Sequence, residues 1–107
     1  MEPKKTSPLA GRIEEIGFRH YTSSHIDRII LAVRKPETGE VAQFEGDRSG
    51  AGIRPVPGYA MVSQPVRVGT LQIGQIELHA ASPSIRPAHL LTIAQSLQDE
   101  ILDAVAA

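Results

Sequence analysis

The C-terminal stretch of the chain, residues 65–105, constrains the fold more than any other part of the sequence. It contains two short segments in which apolar residues alternate, a proline-containing turn, and a long segment in which apolar residues recur every three or four positions. Alternation is typical of strands with one buried face, and the longer spacing is typical of an amphipathic helix. The order predicts a hairpin with a helix packed against its sheet.

The composition limits the class of protein. The chain has 107 residues, of which 41% are hydrophobic and 21% charged, so we expect one globular domain over residues 1–107. Its net charge of −1 argues against a nucleic-acid or membrane-surface partner. The absence of cysteine excludes disulfides and thiolate chemistry. We therefore expect a cytoplasmic protein without a cofactor.

The N-terminal half is predicted to hold one helix and one hairpin. Ser7 and Pro8 have the residue types of an N-cap and a first helical position, and residues 1–6 before them are expected to be disordered. Residues 26–34 are rich in β-branched side chains and predict a strand. A turn cluster follows, and residues 41–45 predict the return strand.

The middle of the chain is predicted to be a loop followed by a second hairpin. Segment 46–58 contains four glycines and two prolines without periodicity, which predicts a flexible loop. Extended structure resumes over residues 59–68, and Gly69-Thr70 fits a two-residue turn. The apolar alternation changes parity at Gly74, which predicts a β-bulge there.

The second half of the sequence also carries a resemblance to a known family. Residues 65–69 (PVRVG), residues 71–78 (LQIGQIEL) and a helix from Pro87 are similar to the strands and helix that end a GAF domain. The resemblance implies a sensory or regulatory domain. It would be a reduced one, because only loop 46–58 stands where GAF domains carry the elements of their ligand pocket. Roadblock-type GTPase-regulator scaffolds are the second family considered.

These elements predict an α+β fold of the GAF or profilin-like kind. We expect an antiparallel sheet of four to five strands flanked by an N-terminal and a C-terminal helix, in the order α-β-β-β-β-α. The C-terminal helix has Asp99, Glu100 and Asp103 near its negative end, which opposes the helix dipole. Either these charges are solvated and their cost to helix stability is tolerated, or a second subunit or a continuing chain compensates them.

Loop 46–58 offers one candidate site for a small anionic ligand. Its backbone N–H groups and two guanidinium groups are suited to an anion, although no Walker or dinucleotide motif is present. The alternative is a surface connection with solvated arginines. The candidate ligand residues are Arg48, Ser49, Gly50, Arg54 and, on a neighbouring strand, Arg67.

A second candidate lies on the strand that follows the Gly69 turn. Glu77 and His79 share one strand face, and Arg67 is a candidate third member on the neighbouring strand. This trio has the residue types for metal binding, acid–base catalysis or binding of an acidic partner, and equally for the polar side of a half-exposed sheet. No catalytic motif and no stronger metal-binding pattern is present, so we predict neither catalytic residues nor a metal.

Two surfaces are candidates for partner binding. Residues 59–62 are apolar and suit strand addition at a sheet edge, unless nearby prolines such as Pro65 prevent it. The apolar stripes of the terminal helices are the predicted homodimer surface, through Leu9, Ile13, Ile16, Leu97, Ile101 and Val105. The sequence therefore favours a non-enzymatic regulatory module that forms a homodimer or binds a protein partner. An anionic-ligand sensor and a small enzyme using Glu77 and His79 are the alternatives.

Overall fold

The computed structural model describes residues 8–23, 26–47, 60–80 and 85–106. Two helices and four strands are present in the order α-β-β-β-β-α, and the sheet is antiparallel throughout, which confirms the predicted α+β fold. The elements are α1 (Pro8–Ser23), β1 (Arg28–Arg34), β2 (Val41–Asp47), β3 (Ala60–Val68), β4 (Leu71–Ala80) and α2 (Pro87–Ala106).

The sheet has the strand order β2-β1-β4-β3, so β1 and β4 occupy its centre. Alternate residues of β1 are buried, and we call the sheet face that carries Ile29, Leu31 and Val33 the inner face. On the opposite, outer face of β1, Ile30 and Ala32 are half-buried. The apolar character of β1 on both faces is thus explained by its central position.

Both helices pack on the inner face, which makes the molecule a two-layer structure. Helix α1 covers β1 and β2, helix α2 covers β3 and β4, and the helices contact each other. Each large apolar side chain buried between the layers contributes about 1.5–3 kcal/mol to stability. The largest fully buried ones are Ile13, Ile26, Ile29, Leu31, Val66, Ile76, Leu78, Leu90, Leu97 and Ile101.

The proline signals place both helix starts correctly. Helix α1 begins at Pro8 and α2 at Pro87, because the first helical position needs no backbone N–H bond and favours the proline φ. The predicted N-cap Ser7 and the predicted disordered residues 1–6 lie outside the described residues. No helix within the described ranges is long and apolar enough to cross a membrane.

The predicted bulge in β4 is displaced by one residue. Val66 pairs with Gly74 and Arg67 with Gln72, so Ile73 is the extra residue. Glycine is nevertheless required at position 74, because a Cβ there would overlap the carbonyl oxygen of Ala32 on β1. The close approach of β1 to β4 therefore depends on this glycine.

Two other boundaries are settled by the strand register. Strand β2 continues through Gly46 and Asp47, two residues beyond its predicted end, so the predicted 46–58 loop begins too early. Residues 48–58 lie outside the described part. Gly69 has φ 61°, as expected at the first central position of a type II′ turn, which confirms the two-residue hairpin.

One of the three unfavourable carboxylates on α2, that of Glu100, is compensated within the chain. Glu100 accepts hydrogen bonds from Arg19 and from His20 Nε2, the latter at 2.5 Å. Burial of Glu100 raises its pKa, but the hydrogen bonds from His20 and Arg19 outweigh burial, and the net pKa is lowered. Arg19 and His20 lie near the C-terminal end of α1, where positive charge is favourable. One cluster thus fastens the two helices together.

We expect this cluster to make stability depend on pH. The lowered pKa of Glu100 means that its contribution is present above the unfolded pKa near 4.5 and is lost as pH falls through the folded pKa. Glu100→Gln should lower the free energy of unfolding by about 0.5–1 kcal/mol at pH 7, and this deficit should be smaller at pH 3, where Glu100 becomes protonated. Urea unfolding at the two pH values measures this difference.

The matched control is Asp99→Asn, which removes an exposed neighbouring carboxylate. Its effect should be smaller at pH 7. An equal deficit for Glu100→Gln at both pH values would contradict the assignment, because it would indicate lost packing rather than lost charge.

Candidate binding groove beside strand β2

The predicted anion-binding residues are only partly placed by the structure. Arg48, Ser49, Gly50 and Arg54 lie outside the described residues. Arg67 is exposed on β3, where it pairs with Gln72 of β4. The proposed ligand set therefore stays a prediction.

Glu77 and His79 form a hydrogen-bonded pair on the outer face. Glu77 Oε1 lies 2.8 Å from His79 Nε2, and the His79 side chain is 9% exposed. Arg67 lies on the neighbouring strand β3, but it pairs with Gln72, whereas Glu77 and His79 pair with Ser63 and Met61 on that strand. No group of three metal-ligating side chains occurs in the described ranges.

The helix stripes predicted as a homodimer surface belong to the core of the single chain. Five of the six side chains are buried between the helices and the inner sheet face, and their predicted role as a surface is wrong for this reason. A single amphipathic stripe looks the same whether a sheet or a second subunit covers it. The five are Leu9, Ile13, Ile16, Leu97 and Ile101.

Val105, the sixth of these residues, is half-buried and reaches the surface. It borders a shallow apolar groove of about 320 Å³ at the end of the molecule where α2 ends and both hairpins turn. The other apolar side chains there include Val68, Leu71 and Leu102. Nothing in the structure indicates what would cover this groove.

The two edge strands of the described sheet differ in their capacity to accept another strand. Strand β3 contains Pro65, which has no N–H and removes one donor from that edge. The predicted strand-addition segment, residues 59–62, belongs to this edge apart from Tyr59, which is not described. Strand β2, at the opposite edge, contains neither proline nor lysine. No proline therefore removes a backbone donor from this edge, and its two charged residues, Glu45 and Asp47, are paired with Arg28.

The register shows which β2 backbone groups point away from the sheet. Lys35 N–H donates to Glu40 O at 2.8 Å where the β1–β2 hairpin closes. Antiparallel pairs alternate between bonded and non-bonded, so the backbone of Val41, Gln43 and Glu45 faces outward. These three residues have no backbone partner among the described residues.

Helix α1 runs alongside β2 in the same direction. Gly17 packs against the ring of Phe44, and Tyr21 packs over Gly46 two residues further along the strand. One helical turn rises about 5.4 Å and two strand residues span about 6.8 Å, so successive turns of α1 lie beside alternate residues of β2. A Cβ on Gly17 would overlap the Phe44 ring, so glycine sets the distance between them.

An open groove of about 540 Å³ lies between α1 and the outward edge of β2. Its apolar part consists of the only two phenylalanines of the chain, Phe18, which is 61% exposed, and the half-buried Phe44. Its polar part includes two carboxylates, from Glu14 and Glu15, while the Glu45 carboxylate lies on the outer face. We call this feature the β2 groove.

The β2 groove is acidic because the arginine side chains near it contact other parts of the molecule. Arg19 binds Glu100 of α2, and Arg12 borders a cavity on the α2 side. Arg28 reaches Glu45 at 3.1 Å from the outer face. Glu14 and Glu15 are exposed and have no ion-pair partner among the described residues.

Sequence reasoning missed the β2 groove, although one signal was present. Gly11, Glu14, Glu15 and Phe18 are spaced i, i+3, i+4 and i+7, so they form one side of α1. Phe18 is a large apolar residue outside the buried stripe. The position of β2 next to that side becomes visible only in three dimensions.

The groups that line the β2 groove are suited to binding another molecule. It combines outward backbone donors and acceptors with an aromatic floor and carboxylates, and none of its side chains forms a nucleophile–base pair. No protein-family model, curated protein or solved structure matches the chain.

We expect two glycine substitutions in α1 to have opposite effects. Gly11→Ala should raise the free energy of unfolding by about 0.5–1 kcal/mol, because a Cβ there meets open space and alanine favours a helix. Gly17→Ala should lower it by about 1–3 kcal/mol, because the Cβ overlaps Phe44. Urea unfolding measures both. Stabilisation by both substitutions would show that α1 does not approach β2 closely.

Proposed function

We propose that the chain is a non-enzymatic interaction module that binds an extended segment of a partner as an additional strand at β2. The observation that carries the proposal is the outward backbone of Val41, Gln43 and Glu45 beside the β2 groove. Such an edge provides affinity through backbone hydrogen bonds, and an adjacent groove provides specificity through alternate side chains. This role agrees with the regulatory function that the GAF-like resemblance implies.

The energetics favour a partner that uses both features. Each new backbone hydrogen bond contributes about 0.5–1.5 kcal/mol, which is partly offset by ordering the bound segment. Alternate side chains of an added strand point to the inner-face side, where the groove lies between the strand and α1. An apolar side chain placed against Phe18 and Phe44 therefore adds burial to the backbone bonds.

The accessibility of the β2 edge can be measured without a partner. We expect the amides of Val41, Gln43 and Glu45 to exchange with solvent hydrogen at least tenfold faster than those of Ala42 and Phe44, because only the latter bond to β1. Amide exchange followed by NMR gives the comparison within one strand. Uniform slow exchange would mean that the edge is already occupied.

Binding can be tested by selecting partners from a randomised seven-residue peptide display library. Peptides are selected on the native protein, with Gln43→Pro as the matched variant, because proline removes an outward N–H without disturbing the bonds to β1. We expect the selected peptides to slow the amide exchange of Val41, Gln43 and Glu45. Their affinity for the Gln43→Pro protein should be at least tenfold weaker.

The variant must keep its fold for the comparison to count, and circular dichroism with a thermal melt checks this. Val41→Pro, at the first position of β2, is the second variant if Gln43→Pro unfolds. Peptides that bind native and proline-containing proteins equally, or a selection that yields none, would contradict strand addition at β2.

A further inference from the structure

We infer that the segment bound at β2 is basic, with Lys or Arg two residues from an apolar residue. The inference rests on the proposed strand addition and specifies the partner of that site. Its basis is the juxtaposition of an aromatic pair and the unpaired carboxylates of Glu14 and Glu15 along one groove, parallel to the proline-free edge of the described sheet.

The charge of the β2 groove differs from that of the whole chain. The net charge of the whole chain is only −1, yet the β2 groove has two carboxylates, from Glu14 and Glu15, and no cation among its lining residues. Glu14 and Glu15 are exposed and carry no ion pair among the described residues, so they are available to a cation from outside. A basic segment gains attraction here, and an acidic one meets repulsion.

A second copy of this chain is disfavoured as the occupant of the β2 edge. Antiparallel pairing of two β2 strands keeps the inner faces of both sheets on one side, so the two α1 helices would approach across the junction. Each would bring Glu14 and Glu15 into the same space. Like charges placed together oppose association, so the groove favours a different chain.

The spacing of Glu14 and Phe18 along α1 matches the two-residue repeat of an added strand. Residues Glu14 and Phe18 are one helical turn apart on α1, which is about 6 Å along the helix axis. Side chains on one face of an added strand repeat every two residues, or about 6.8 Å. Because α1 runs along β2, an added strand that places an apolar side chain beside Phe18 also places a side chain two residues away beside Glu14.

The test compares two synthetic peptides that differ only in charge, TRTLTRT and TETLTET, both with blocked ends. In NMR titrations at low salt, we expect the basic peptide to shift and protect the amides of Val41, Gln43 and Glu45. The acidic peptide should bind at least tenfold more weakly. The preference should shrink at 0.5 M salt, because exposed charge pairs are screened.

Two double variants with the same change in net charge test the location. Glu14→Gln with Glu15→Gln should weaken the basic peptide about fivefold, as expected for two exposed charge pairs. Asp99→Asn with Asp103→Asn, on exposed positions of α2, should leave its affinity unchanged. Equal weakening in both variants would overturn the inference, because it would show a response to overall charge alone.

The outcomes separate this inference from the proposed function. Equal binding of both peptides at β2 would overturn the charge preference and leave strand addition intact. Binding of neither peptide, together with a failed library selection, would overturn both. If the β2 amides become protected from hydrogen exchange as the protein concentration rises without peptide, a second copy occupies the edge. This result would also overturn the inference of a basic partner.

Discussion

The packing of both helices on one face of the sheet determines the rest of the molecule. The inner face presents Ile29, Leu31 and Val33 from β1 with Ile76 and Leu78 from β4, and the two helices exclude water from it. Burial of this layer is the dominant favourable term in folding. Because all helical cover lies on one side, polar pairs such as that of Glu77 and His79 are left to the outer face, and β2 is left at an edge.

Close approaches within this arrangement are set by glycines. Gly74 lets β4 lie against the β1 backbone, and Gly17 lets α1 lie against the Phe44 ring. Gly46 does the same beneath Tyr21. Packing at this density leaves no room for a methyl group at the first two positions. The line of α1 along β2, and with it the groove between them, follows from these contacts.

The fold could be predicted from the sequence because its signals are local. Pro8 and Pro87 start the helices, and alternation with Gly69 and Gly74 locates the second hairpin to within one residue. The candidate site could not be predicted in this way. Whether a stripe such as that of Leu97 and Ile101 meets a sheet or a subunit depends on tertiary packing. Equally, Phe18 and Phe44 are 26 positions apart, and only the packing of α1 along β2 brings them into one groove.

The order of the strands also divides the chain into two similar halves. The first consists of α1 with the β1–β2 hairpin, and the second of the β3–β4 hairpin with α2, so each half is built from neighbours in sequence. The halves join where β1 meets β4, and Arg28 and His79, which pair there, are about 50 residues apart. Closing so long a loop is where chain entropy opposes folding most. We therefore expect the pairing of β1 with β4, rather than the closure of either hairpin, to limit the folding rate.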